Sequence, residues 1–152
     1  MIVDSKKKKL SSEEIVKNAA VITKSPYTPE QVYAALVAEA HTPNTLLIRE
    51  GNTLFVINFV PTNKSQGYFR ALNSDTALNY LNNARSFIKV AGSIGFETLV
   101  VDFQDSSLLS LFKSISRRPP YKNMSYDVQD HGDQGYRVII HLGDIPKKDH
   151  KQ

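Results

Sequence analysis

The 152-residue chain has no cysteine, which excludes disulfide frameworks, thiolate metal sites and cysteine nucleophiles and fits a reducing, intracellular compartment. It has no run of about 18 apolar residues, the length a membrane-spanning helix needs, so no membrane insertion is expected. The N-terminal lysines are not followed by the apolar segment of a secretory signal. Glycine is missing from residues 68–91, a stretch that reads as strand, turn and helix and so is a place where a phosphate-binding turn would want it. No P-loop, G-x-G-x-x-G fingerprint or G-x-S-x-G elbow occurs. The histidines His41, His131, His141 and His150 are not spaced as metal ligands, and the "DHGD" stretch reads as a loop turn, so no metal site is expected.

The formal charge of +4 is unevenly spread. Residues 1–10 carry Lys6 to Lys9 against Asp4, and residues 143–152 carry Lys147, Lys148 and Lys151 against Asp144 and Asp149. Together these ends hold 7 of the 19 basic and 3 of the 15 acidic residues, leaving 12 of each in the body. The organisation expected is a flexible basic tail (1–10), one domain (11–142) and a flexible charged tail (143–152). Lysine runs of this kind imply a weak, salt-sensitive contact with nucleic acid or another polyanion. No aromatic residue is interleaved with them, so base stacking is not indicated.

Within the body, Ser11 and Glu14 form a capping-box pattern, predicting a short helix over 12–19. "AAVITKS" is β-branched and predicts a strand near 20–24. Thr28, Pro29 and Gln31 mark a second helix start. "TLLIRE" and "TLFVINFV" flank Gly51-Asn52 as a hairpin. After a loop, "YFRAL" predicts a strand over 67–72. A helix over about 75–93 carries an apolar stripe through Ala77, Leu81, Ala84, Ile88 and Ala91. "TLVVDF" (97–103) reads as a central buried strand, "SSLLSLFKSIS" as an amphipathic helix, and segments near 123–129 and 136–142 as a closing antiparallel pair. The fold class expected is a mixed, mainly antiparallel α/β (α+β) sheet of about seven strands with helices on both faces.

This order resembles the GNAT family, the CoA-dependent N-acyltransferases, over about residues 20–142. "VITKSPYTPEQVYAALVAEA" resembles the family's first strand and helix entry, and the hairpin fills the next slot. "DSSLLSLFKSI" resembles the segment after the fifth strand, with Asp105, Leu108 and Phe112 where the family usually has an Asn, a small residue and a Tyr. The resemblance implies acetyl-CoA bound at an Arg/Gln-x-x-Gly-x-Gly/Ala turn after the fourth strand, where backbone N–H groups meet the pyrophosphate. Here that turn is Leu72-Asn73-Ser74-Asp75-Thr76. Asn73, Ser74, Asp75 and Thr76 are the candidate cofactor residues of a degenerate turn, with Asp75 expected to cap the helix and repel phosphate. Leu78 and Tyr80 are placed there by counting back from Gly95.

Phe112 offers no proton where the resemblance implies an acid. Asp102, Glu50 and Tyr80 are the catalytic candidates, with His141 a further strand candidate for a base. The stiff basic loop "SRRPPYK" offers Arg117, Arg118 and Tyr121 for a protein or phosphate contact. Two functions stay open. One is a GNAT-like binding, regulatory or assembly protein without a cofactor, similar to degenerate GNAT-like proteins of tailed-phage genomes and then virion-associated. The other is an acetyl-CoA-dependent N-acetyltransferase.

Overall fold

The computed structural model describes residues 10–146. Helix α1 (Ser12–Ile22) opens on a reciprocal capping box: the Ser11 hydroxyl accepts from the Glu14 N–H at 3.1 Å, and the Glu14 carboxylate accepts from the Ser11 N–H at 2.9 Å. The strand expected over 20–24 is absent, because α1 continues through Ala19, Ala20, Val21 and Ile22. The physical reason lies in burial. Ile15, Val16, Ala19 and Ala20 recur at helical spacing and all four are buried, so extending the cap-nucleated helix buries more than a short strand would. Helix α2 (Pro29–Ala40) begins as expected, with Thr28 and Gln31 exchanging hydrogen bonds at 3.1 and 3.0 Å.

Strands β1 (Thr45–Glu50) and β2 (Thr53–Val60) form the hairpin around Gly51-Asn52. Gly51 has φ +56°, the positive value a two-residue hairpin turn requires. Strand β3 (Asn63–Asn73) starts earlier than the sequence suggests, because "NKSQG" extends the ladder after an irregularity between Asn58 and Val60. Then come α3 (Ala77–Ile94), β4 (Thr98–Phe103), α4 (Leu109–Arg117), β5 (Ser125–Asp130) and β6 (Tyr136–His141). The six strands lie in the order β1-β2-β3-β4-β6-β5, with β3–β4 the single parallel pair among the described residues. The expected class of mixed, mainly antiparallel α/β sheet therefore holds.

Strand alternation divides the core. Leu54 and Val56 of β2 pack with Ile15, Val16 and Leu36 beneath α1 and α2. Phe55 and Ile57 face the other way, towards α3. There Phe87 stacks on Phe55 with ring centroids 4.1 Å apart. The buried stripe of α3 is Ala84, Phe87, Ile88, Ala91 and Gly92. It keeps Ala84, Ile88 and Ala91 of the expected stripe, with Leu81 half-buried against the core, and widens it by Phe87 and Gly92; Ala77, the first helical residue, is exposed. Lys6 to Lys9 and Lys147, Lys148 and Lys151 lie outside the described residues. Near the C-terminus, the Asp144 N–H donates to the Lys122 carbonyl at 2.7 Å and Ile145 packs on the core.

Candidate ligand-binding cleft

Strands β3 and β4 pair only through Gln66–Tyr68 and Thr98–Val100. Beyond this point β3 stays with β2 up to Asn73, and β4 stays with β6 up to Phe103. The two halves of the sheet therefore part. The alternation of ladder bonds turns the peptide groups of Phe69 and Ala71, and of Asp102 opposite, towards the gap without a strand partner. A cavity of about 150 Å³ occupies it, walled by Phe69, Val101, Phe103, Tyr80, Ala84 and Phe112 among others. Helix α3 closes one side and α4 the other.

The turn between β3 and α3 is closed by its own side chains. Asp75 does not cap α3 as expected; Thr76 does, its hydroxyl accepting from the Asn79 N–H at 3.3 Å. The Asp75 carboxylate points instead to the β1–β2 hairpin. Its Oδ2 accepts from the Asn52 N–H at 2.8 Å and from Asn83 Nδ2 at 2.7 Å, and its Oδ1 from Asn52 Nδ2 at 3.3 Å. Asn73 Oδ1 accepts from the Asp75 N–H at 3.0 Å and from the hydroxyl of Thr53, which is wholly buried, at 2.7 Å. The Ser74 hydroxyl donates to the Ile15 carbonyl at 3.1 Å, and the Ser74 N–H to Asn52 O at 2.9 Å. A Cβ on Gly51 would lie 2.8 Å from Asn83 and 3.0 Å from the Asp75 carboxylate, so glycine lets the hairpin come this close.

Of the catalytic candidates, the structure brings Tyr80 and Asp102 to the cleft and leaves Glu50 at the hairpin end of β1, two strands away. Burial pushes the Tyr80 hydroxyl above the usual tyrosine range, so it keeps its proton at neutral pH. Asp102 is held bidentately by Arg137, at 2.8 and 3.0 Å. That guanidinium keeps its carboxyl below the usual range and makes it a weak base. Strand alternation sets the Asp102 side chain on the sheet face opposite the α3 and α4 side chains; Arg137 there lies over the Tyr68 ring at 5.9 Å. His141 is paired with Asp127 at 3.2 Å on the β5–β6 edge. Asp105 accepts from the Ser107 N–H at 2.9 Å, starting the helical turn Ser106–Leu108 before α4. Phe112 is buried and stacks on Phe103 at 5.8 Å.

In the proline loop, Arg117 and Arg118 project into solvent. Tyr121 turns inward: its hydroxyl donates to the Lys89 carbonyl at 2.5 Å, and its ring covers Gly92, where a Cβ would lie 2.6 Å from the hydroxyl oxygen and 2.7 Å from the ring. It fastens the loop to α3. Sequence reasoning missed Asn52, Thr53 and Asn83 as partners of the turn. For Asn52 and Thr53 no local signal could have found them, because their contacts with the turn span 23 and 20 residues of chain; Asn83 lies 8 residues from Asp75, two turns into α3.

No protein-family model matches the chain, and no curated protein matches it in sequence. Solved structures share its fold. An aminoglycoside 6'-acetyltransferase type Ii superposes with TM-score 0.55 at 10% identity, over 91% of this chain and 97% of that one. The ribosomal-protein-S18-alanine N-acetyltransferase of Escherichia coli gives 0.51 at 10%, covering 95% and 96%. A GNAT-family acetyltransferase of Streptococcus pneumoniae gives 0.51 at 11%, covering 88% and 95%. The fold is thus the GNAT fold. At these identities the likeness concerns architecture, and function has to be argued from the site.

Proposed function

We infer that this chain is a GNAT-fold protein that works by binding, in a regulatory or assembly role with a protein partner, and not by acyl transfer. The Asp75 network carries the reading. A CoA pyrophosphate would need open backbone donors at the start of α3. Here the Ser74, Asp75 and Asn79 N–H groups already donate within the protein, and the three residues between Asn73 and Ala77 include no glycine. The cleft points the same way. About 150 Å³ is the size of cavity that takes a benzene-sized molecule, smaller than ordinary cofactor pockets. Tyr80 and Phe112 fill its walls. An intracellular regulator and a virion-associated assembly protein of a tailed phage are the two settings of this role.

A second reading, an acetyl-CoA-dependent N-acetyltransferase, draws on the parted strands and on Tyr80 as a proton-bearing hydroxyl beside them. Calorimetric titration with acetyl-CoA separates the two. The binding reading expects a dissociation constant weaker than about 1 mM, equivalent to under about 4 kcal/mol of binding free energy. Micromolar binding together with acetyl transfer to any amine overturns it.

A further inference from the structure

Between Asp75 and Glu97, and again between Asp105 and Asp127, the chain contains no acidic residue. These two stretches build α3, α4 and the proline loop, and they carry Arg85, Lys89, Lys113, Arg117, Arg118 and Lys122. The body that is neutral in sum therefore carries only basic charge on these elements. No ion pair among the described residues engages any of these six. A groove of about 560 Å³ runs between α3 and the loop, lined by Asn82, Arg85, Ser86, Lys89, Arg118 and the two prolines that follow it. At 3.6 residues per turn, Asn82, Arg85, Ser86 and Lys89 lie on the side of α3 away from Tyr80, Ala84 and Ile88, so the groove is separate from the cleft.

The groove is a built feature. Arg85 donates from Nε to the Arg118 carbonyl at 3.2 Å and from Nη2 to the Ser114 carbonyl at 2.7 Å, tying α3 to the end of α4 and to the loop. Tyr121 fastens the loop from its other end, and the proline pair stiffens the wall between them. Lys89 and Arg118 are left exposed on opposite sides, with the amide of Asn82 and the hydroxyl of Ser86 as neutral donors. Beyond the loop, Asp144, whose carboxylate accepts from Asn123 Nδ2 at 2.8 Å, pairs with Lys122 through the backbone.

We propose that this groove binds the phosphate backbone of duplex nucleic acid, without reading its sequence. Arginine, lysine, serine and asparagine donors are the groups that hold phosphate oxygens. A protein partner is disfavoured, since interface centres are built on aromatic and apolar anchors, and none of the exposed large apolar side chains lines the groove. A single strand is disfavoured, since such sites stack bases on aromatic rings, and the nearby ring of Tyr121 is turned onto Gly92.

The test is fluorescence anisotropy of a short labelled duplex with the full chain across a range of salt concentrations. The variant K89Q/R118Q is compared with the parent and with K24Q/K64Q, which removes two exposed charges elsewhere. All three should melt alike. The proposal expects K89Q/R118Q to bind roughly tenfold more weakly at low salt, with its log–log salt slope reduced by about 0.9 for each phosphate no longer neutralised. K24Q/K64Q should match the parent. Failure of the parent to bind duplex at low salt overturns the proposal. So does equal weakening in both variants, or an unchanged slope in K89Q/R118Q. Polyglutamate or anionic vesicles bound as tightly as duplex also overturn it, and would assign the groove to an acidic protein or a membrane surface.

Discussion

Replacing Asp75 by alanine tests the feature on which the functional reading rests. The change removes a carboxylate that accepts three hydrogen bonds, from the Asn52 N–H, Asn52 Nδ2 and Asn83 Nδ2. Bonds to a charged acceptor contribute about 1.5–3 kcal/mol each when buried. The site is half-buried, and the longest of the three bonds is 3.3 Å, so water recovers part of the loss. A total of about 3 kcal/mol follows, or roughly 6–12 °C in Tm for a domain of this size. Asp75→Asn keeps one oxygen for the Asn52 N–H and Asn83, and should cost only about 1 kcal/mol. Urea unfolding at constant m-value measures both. A cost below about 0.5 kcal/mol for Asp75→Ala would refute the network as an organiser of the turn. Asp75→Gly, which would relieve phosphate repulsion if the carboxylate faced the helix start, should instead lose stability by the same route. It should gain no acetyl-CoA affinity, because that carboxylate faces the hairpin. A gain in affinity on titration would restore the phosphate-site reading of the turn.

In the core, Phe87→Ala should cost about 3–5 kcal/mol in the same assay, because Phe87 is 1% exposed and stacked on Phe55. Leu81→Ala, half-buried at the rim, should cost clearly less, and the reverse ranking would refute the orientation of α3. Acid should weaken the fold from about pH 4.5 downwards. Arg70 holds the Glu39 carboxyl below its usual range, and Arg137 does the same for Asp102. Such lowered groups stabilise above their unfolded-state values and lose that stabilisation as pH falls through the folded ones. Both pairs are partly exposed, so water screens them and each contribution is small. Glu39→Gln should narrow the stability gap between pH 7 and pH 3, and parallel pH curves for parent and variant would count against the pairing.

Local chemistry made much of this molecule legible in its sequence. Ser11 with Glu14 and Thr28 with Gln31 announce two helix starts, Gly51-Asn52 announces the hairpin, and the apolar run Leu99–Val101 of β4 announces the sheet centre. These signals rest on bonds made within a few residues or on side-chain periodicity, so the chain carries them without knowing its neighbours. The same order of elements was enough for the fold class. The segment 20–24 was misread because β-branched residues suit a strand locally, whereas the sheet offered a surface that Ala19 and Ala20 could cover only as a helix. The cleft candidates divided likewise. Tyr80 and Asp102 reach the gap because β3 and β4 part, and Glu50 does not because two strands stand between. The direction of Asp75 was settled by a hairpin 23 residues earlier, and that of Tyr121 by Gly92 on another helix. A neutral charge count could not reveal that α3 and the loop bring Arg85, Lys89 and Arg118 to one groove. Hydrogen-bond direction, side-chain facing and charge segregation depend on which distant segments meet, and only the tertiary structure brings those segments together.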